Sequence, residues 1–261
     1  MQRSIEASRL APGVLGLLLY ASAFLFGAPA AYFPFAFFLL LSLGALLVLL
    51  LHNALRSHWG LPLEPYLYPL ARLLPLMGLL GLPFFLFLPE LFPWARPEAS
   101  LDPVLLHRAP YLNAPFLFLR YALSFALFAF VLSRLRPGEY RAEVGAWGLP
   151  LVFVAGTFLS FDLFKSLEAH FYSASYGGIV LLSAAILALA LVLQYLGEPT
   201  SMEQAAARLG AVLGVAGLFA AGILLTSPFV QERAWTQPVR VLSLFVTAMT
   251  AVLAFLHWLL I

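Results

Sequence analysis

The sequence contains no cysteine in its 261 residues. Disulfides, thiolate-bound iron–sulfur clusters and haem thiolates are therefore excluded from this chain. Charge is also scarce. Only 10% of residues are Asp, Glu, Lys or Arg, against roughly 25% in a water-soluble domain. With 63% hydrophobic residues and a mean hydropathy of +0.96, there is too little polar side chain to cover a soluble surface. Lysine occurs once, as Lys165, and it falls at the end of an apolar run, which argues against a retinal site. No basic tract offers a surface for nucleic acid. The chain has no Walker loop, GxSxG, GxGxxG or HExxH, so nucleotide, hydrolase and zinc-protease signatures are missing. It also lacks the ten-residue alternation that a transmembrane barrel requires.

What the sequence does have is long apolar runs of the length a membrane helix needs, about 20 residues. They lie at about Ala11–Phe26, Phe33–Leu51, Leu67–Leu88, Asn113–Leu132, Trp147–Leu163, Ile179–Leu196, Leu209–Leu225 and Val241–Ile261. The pattern predicts an all-α, polytopic transmembrane helical bundle of about eight helices, forming a single integral membrane domain over residues 1–261. Pro69, Pro75 and Pro83 predict kinks in the third span, whose freed carbonyls neighbouring helices must satisfy. Eight spans put Arg3, Arg9, Arg56, Arg134, Arg136, Arg141 and Arg208 on one side. Arg96, Arg108, Lys165, Arg233 and Arg240 fall on the other. Seven cations against five place both termini in the cytoplasm by the positive-inside rule. The 89–112 connection and the polar stretch after the fifth span then share the outer face.

That polar stretch, Phe161–Gly178, is the densest group of ionisable residues beside a span. It holds Asp162, Lys165, Glu168 and His170. A carboxylate at membrane depth is costly unless paired or wetted, which makes it a candidate functional group. Two readings stand side by side. Lys165 lies one helical turn from both acids, so the three can form a helix-surface ion-pair trio. Alternatively Arg120, about two turns into the fourth span, pairs with Asp162 in a polar seam. Arg72 is the other arginine within a span. Both stay charged and must pair, contact carbonyls or snorkel to the interface. Of the five histidines, His52, His58, His107, His170 and His257, only His52 and His257 fall in spans, and both are near ends. Helix-end histidines more commonly cap or snorkel than ligate haem.

The polar stretch resembles a motif of the F subunit of bacterial alternative complex III, a quinol:electron-acceptor oxidoreductase with polytopic subunits of the NrfD-like class. Phe161, Asp162, Ser166, Leu167, Glu168, His170, Ser173 and Gly177 carry the match. Leu163, Lys165, Ala169 and Phe171 depart from it, and Tyr172 and Tyr176 are aromatic replacements. Upstream, Ser42–Leu46 with His52 and Trp59-Gly60 is similar to the family's second-helix region. Residues 89–94 and Tyr111-Leu112-Asn113 with Arg120 are similar to its outer loop and next helix. The resemblance covers Ser42–Gly178 and fades beyond it.

The resemblance implies a membrane subunit of a respiratory quinol-oxidising complex in the bacterial inner membrane. It would contribute helix packing and a quinone or proton pathway drawn from Asp162, Glu168, His170, Arg120, His52 and Arg72. No cofactor of its own is expected. Haem and iron–sulfur centres would sit on partner subunits, both membrane and peripheral. The alternative is a non-catalytic membrane anchor or assembly protein. A small-solute transporter is a weaker reading, since no pair of interrupted spans recurs in corresponding halves. A reporter fused at the C-terminus and one fused within 89–112 should report opposite sides of the membrane. The same side from both would overturn the eight-span topology.

Overall fold

The computed structural model describes residues 20–56, 58–170 and 173–193. Every regular element among them is helical apart from one isolated bridge, Arg136 to Glu139. Helix α1, Ala28–Leu55, is apolar on every side, and from Leu39 to Leu50 no residue reaches solvent. Such a helix belongs in the centre of a bundle. Its most apolar stretch is 78% buried, against 33% for the third and fourth expected spans.

Around α1 pack helices from four further spans. The third span is broken into α2, Glu64–Ala71, α3, Leu74–Leu80, and a short 3-10 turn over Leu82–Leu86. Pro65, Pro75 and Pro83 each sit in the first turn of one of these pieces, where a missing N–H costs nothing. The kinks expected at Pro75 and Pro83 are therefore full breaks, whereas Pro69 lies inside α2 and does not interrupt it. Two short helices, α4 (Leu88–Leu91) and α5 (Pro103–Arg108), carry the chain to α6, Ala114–Arg134. Helix α7, Ala142–Leu163, returns antiparallel to α6, and α8, Tyr176–Leu193, completes the described bundle. Helix α1 contacts α2, α3, α7 and α8, and α6 bridges α3 and α7.

Among the described residues, five helical segments are long and apolar enough to cross a membrane, Ala28–Leu55, Glu64–Leu86, Ala114–Arg134, Ala142–Glu168 and Tyr176–Leu193. They correspond to the second through sixth expected spans, and the chain is a multi-pass membrane protein. Of the first span only residues 20–26 are among the described residues, and the seventh and eighth lie entirely outside them.

Water gives no hydrophobic drive between helices in lipid, so close backbone packing and polar contacts hold such bundles. Gly44 supplies the closest approach. A methyl group there would lie 1.9 Å from the Ala184 carbonyl oxygen of α8. Gly145 does the same for α7, where a methyl would lie 2.3 Å from the Ala54 nitrogen of α1. Polar ties join the other helices. The Tyr121 hydroxyl donates to the Gly78 carbonyl at 2.8 Å, linking α6 to α3. The Tyr32 hydroxyl donates to the Leu163 carbonyl, linking the start of α1 to the end of α7.

Gly44→Ala should force α1 and α8 apart and cost about 1–3 kcal/mol, the usual range for overpacking. The control is Gly178→Ala, where the nearest atom is a Phe153 ring carbon at 3.7 Å and a helical alanine is favourable. Thermal unfolding in detergent should show a loss for the first and no loss for the second. Equal stability of both variants would refute the close contact.

Candidate functional site

The described bundle concentrates its ionisable groups at two ends. The first end is where α7 stops. Helix α6 starts at a well-made cap. Asn113 Oδ1 accepts from the Phe116 N–H at 3.0 Å, and its amide donates to the carbonyls of Ala109 and Pro110. That start places Arg120 two turns into α6, level with Asp162 in the last turn of α7. The two meet in a bidentate pair. Arg120 Nε donates to Asp162 Oδ2 at 2.8 Å, and Arg120 Nη2 donates to Asp162 Oδ1 at 2.7 Å. This parallel fork is the strongest form of a charge-assisted hydrogen bond. The Asp162 side chain is 1% exposed and that of Arg120 is 11% exposed.

The guanidinium also lies on two aromatic faces, 3.9 Å from the Tyr111 ring centroid and 4.4 Å from that of Phe116. Cation–π contacts of this kind contribute about 0.5–2 kcal/mol, more when desolvated. The site is nonetheless not saturated. Arg120 Nη1 and the Tyr111 hydroxyl are both buried without a hydrogen-bond partner of normal geometry. The hydroxyl faces the Asp162 carboxylate, and burial, followed by that negative charge, holds the phenol above its ordinary pKa.

Asp162 does not share one α-helix with Lys165 and Glu168. Helix α7 ends at Leu163, and Lys165–Glu168 turn into a 3-10 helix. The rotation sends Asp162 inward to Arg120, while the Lys165 ammonium sits 4.9 Å from the Phe161 ring centroid. Ser166 Oγ donates to the Asp162 carbonyl and closes the turn.

Beside the pair opens a cavity of about 380 Å³. Tyr111 forms one wall, so the same ring that stacks on Arg120 faces the cavity. Phe161 and Leu112 supply apolar walls, and His107, Lys165 and Glu168 supply polar ones. Arg108 also lines it and donates to the Ala169 carbonyl, tying the 89–112 connection to the turn after α7. A second tie is Asp102. Its Oδ1 caps α5 by accepting from the Val104 N–H at 2.8 Å, and its Oδ2 lies 2.6 Å from His170 Nε2. Desolvation pushes the Asp102 carboxyl up. The hydrogen bonds from His170, Val104 and Leu105 outweigh it and leave the group below the usual carboxylate range. Glu168 Oε1 lies 4.0 Å from His170 Nδ1, which completes a chain from Asp102 through His170 to Glu168 in the cavity lining.

The other end carries His52. Its Nε2 is 3.4 Å from Glu64 Oε1, and both side chains are buried. Trp59 and Tyr140 pack their rings against the imidazole. Glu64 Oε2 accepts from the Gly138 N–H at 2.9 Å, and Asn53 Oδ1 accepts from the Arg141 N–H at 2.7 Å. Two side chains from α1 and α2 thus hold the turn between α6 and α7. Tyr32 and His52 mark the two ends on α1, 20 residues apart in the sequence. At 1.5 Å per residue that is about 30 Å, the thickness of a bilayer's hydrocarbon core.

The six residues singled out from the sequence therefore divide. Arg120 and Asp162 form one pair. Glu168 lines the cavity beside it, and His170, two residues on, meets Asp102. His52 lies at the opposite end with Glu64, and Arg72 stands apart, exposed at the junction of α2 and α3. Asp102, Tyr111 and Glu64 were not singled out. Their signals are Asp102-Pro103 before an apolar turn, Glu64-Pro65 at a span start, and an aromatic two residues before the Asn113 cap. No protein-family model matches this chain, and no curated protein matches it.

Asp162→Asn removes one member of a buried pair and leaves the Arg120 charge uncompensated, which costs about 3–5 kcal/mol. Glu168→Gln touches a half-exposed rim and should cost less than about 1 kcal/mol. Thermal unfolding in detergent should rank Asp162→Asn well below Glu168→Gln. The reverse order would remove the pair from the packing account.

Proposed function

We propose that this chain is a membrane subunit of a respiratory quinol-oxidising complex resembling alternative complex III, in a bacterial inner membrane with both termini cytoplasmic. The observation that carries the reading is the buried, incompletely satisfied Arg120–Asp162 pair one aromatic ring away from a cavity. Asp162 belongs to the motif that carries the family resemblance, and Arg120 follows the matching Tyr111-Leu112-Asn113. In this reading the cavity takes a quinone ring. Its volume of about 380 Å³ falls within the ~300–1,000 Å³ of small-molecule pockets. Phe161 and Leu112 would pack on the ring, and Lys165 or His107 would donate to a carbonyl oxygen. Quinol oxidation releases two protons with its two electrons. Glu168 in the lining and His170 next to it would take the protons, and haem or iron–sulfur centres on partner subunits would take the electrons.

The interior supports a one-sided proton site. Between the two polar ends, α1 and α7 carry only the hydroxyls of Ser42, Thr157 and Ser160. Ser42 and Ser160 donate to carbonyls of their own helices, four residues back. Protons released at the outer end would return to the same side rather than cross through these residues. The same dry interior favours the second reading, a non-catalytic anchor or assembly protein that packs against related helices.

Mild-detergent purification from native membranes separates the two. The quinol reading expects haem- and iron–sulfur-containing subunits to copurify, with a haem spectrum. It also expects assembled Glu168→Gln complexes to lose quinol turnover by about tenfold or more, as for loss of a positioned proton acceptor. Copurification with unchanged turnover favours the anchor. A monomer with no redox subunits overturns both forms of the respiratory assignment.

A further inference from the structure

Helices α7 and α8 are not equally close along their length. Near the Arg120 end they touch. A methyl group on Gly177 would lie 2.5 Å from the Thr157 side chain, and one on Gly156 would lie 2.8 Å from that of Leu181. Toward the His52 end they enclose a cavity of about 530 Å³, floored by Leu47, Val48 and Leu51 of α1. The cavity lies against α8 from Leu181, at the touching end, to Leu189. Its walls therefore meet at the inner end. Apart from the Trp59 indole, every side chain that lines it is hydrocarbon. Phe153 and Val154 are 45% and 54% exposed, so the opening faces lipid.

Carbon-walled space of this kind stays free of water, so in a bilayer it fills with hydrocarbon. Leu181 to Leu189 spans about 12 Å at helical rise. One leaflet contributes a little more, about 15 Å, to the apolar core. A partner helix is about 10–12 Å across with its side chains. It would bridge the opening without reaching the α1 floor where α7 and α8 meet. A single acyl chain is thin enough to lie along that floor.

The headgroup end of the cavity carries charge. Trp59 lines the cavity and packs on His52, with ring centroids 5.7 Å apart. Arg56 makes the corner that returns the chain to this position. Among the described residues it is the only non-glycine at positive φ, with φ 48° and ψ 36°. Left-handed backbone disfavours a side chain, and glycine is the usual residue just past a helix end. An arginine held there keeps a cation five residues beyond Leu51, about 7.5 Å further along the axis. Arg56 and His58 are both exposed, and no ion pair among the described residues includes either.

We infer that this cavity binds one acyl chain of an anionic phospholipid in the leaflet at the His52 end, with the lipid phosphate on Arg56 and His58. Cations alone would serve any anion. The hydrocarbon cavity beside them selects an anion that carries a chain. The inference does not rest on the quinol reading, because the site lies at the opposite end of the bundle from the Arg120 cavity.

The test uses the purified full chain in nanodiscs of equal parts phosphatidylglycerol and phosphatidylcholine, with a diazirine placed in the acyl chain of each lipid in turn. Phosphatidylglycerol should label Phe153, Val154 and Leu189 about fivefold more than phosphatidylcholine does, the effect of one basic residue on an anionic lipid. At Leu119 and Leu123 on the α6 face the two lipids should label equally. Arg56→Gly should erase the preference and leave the melting temperature unchanged or raised, since glycine relieves the corner. Ala185→Phe, which fills the cavity from α8, should abolish labelling at Leu189 by both lipids. If Ala185→Phe does not fold, the wild-type pattern and Arg56→Gly decide. Equal labelling of the cavity and the α6 face would mean an ordinary lipid annulus and overturn the inference. So would a preference that Arg56→Gly leaves intact, or no difference between the two lipids at the cavity. A cavity that neither lipid reaches, because residues 194–261 or another helix cover it, overturns the inference as well.

Discussion

Hydrocarbon tolerates neither an unpaired charge nor an unsatisfied peptide group, and this chain is arranged around that constraint. Helix α1 has no ionisable side chain between Tyr32 and His52. It can therefore be buried on all sides and serve as the post against which the other helices stand. Charges collect where α1 ends. At one end the Arg120 fork answers Asp162, and at the other Glu64 answers His52. The backbone contact at Gly44 is possible because no side chain has to be accommodated between α1 and α8.

The two ends solve the same problem differently. The Arg120 end is a compact ion pair sandwiched by aromatics, with a wet rim of Asp102, Glu168 and His170 next to it. Desolvating two charges is expensive, so a buried pair is weak grounds for stability and better grounds for a job that needs charge at that depth. The His52 end is mostly a backbone-binding device. Glu64 and Asn53 spend their acceptors on N–H groups of a turn, which is what a structural clamp does. The asymmetry favours the Arg120 end as the chemically active one.

The spans were legible in the sequence because apolar runs of this length have no soluble alternative. Their edges were less so. Helix α1 begins at Ala28, five residues before the apolar run suggested by Phe33, because Gly27 at φ +98° makes the corner and Pro29 fits the first turn. The breaks of the third span were written in its prolines. The Arg120–Asp162 pair was legible as one of two readings, because both residues sit in apolar surroundings; Lys165, one turn from Asp162, was the rival partner. The end of α7 at Leu163 was not. No Gly or Pro marks it, so helical spacing wrongly joined Asp162 to Lys165 and Glu168 on one face. Asp102 with His170 and Glu64 with His52 were hidden for another reason. Polar connections have no period, and their partners lie 68 and 12 residues apart in the chain.

The turn between α6 and α7 has a consequence for how the molecule is made. Gly138 at φ +76° and Arg141 present their N–H groups to acceptors on α1 and α2, 74 and 88 residues earlier in the chain. Those acceptors come together where α1 and α2 pack, with Glu64 Oε1 3.4 Å from His52 Nε2. Synthesis delivers them first. The later hairpin therefore arrives at a finished socket, and its register is checked by two hydrogen bonds as it closes. Assembly of the bundle acquires a direction, from α1 and α2 outward, with the socket acting as a proofreading step for the helices that follow.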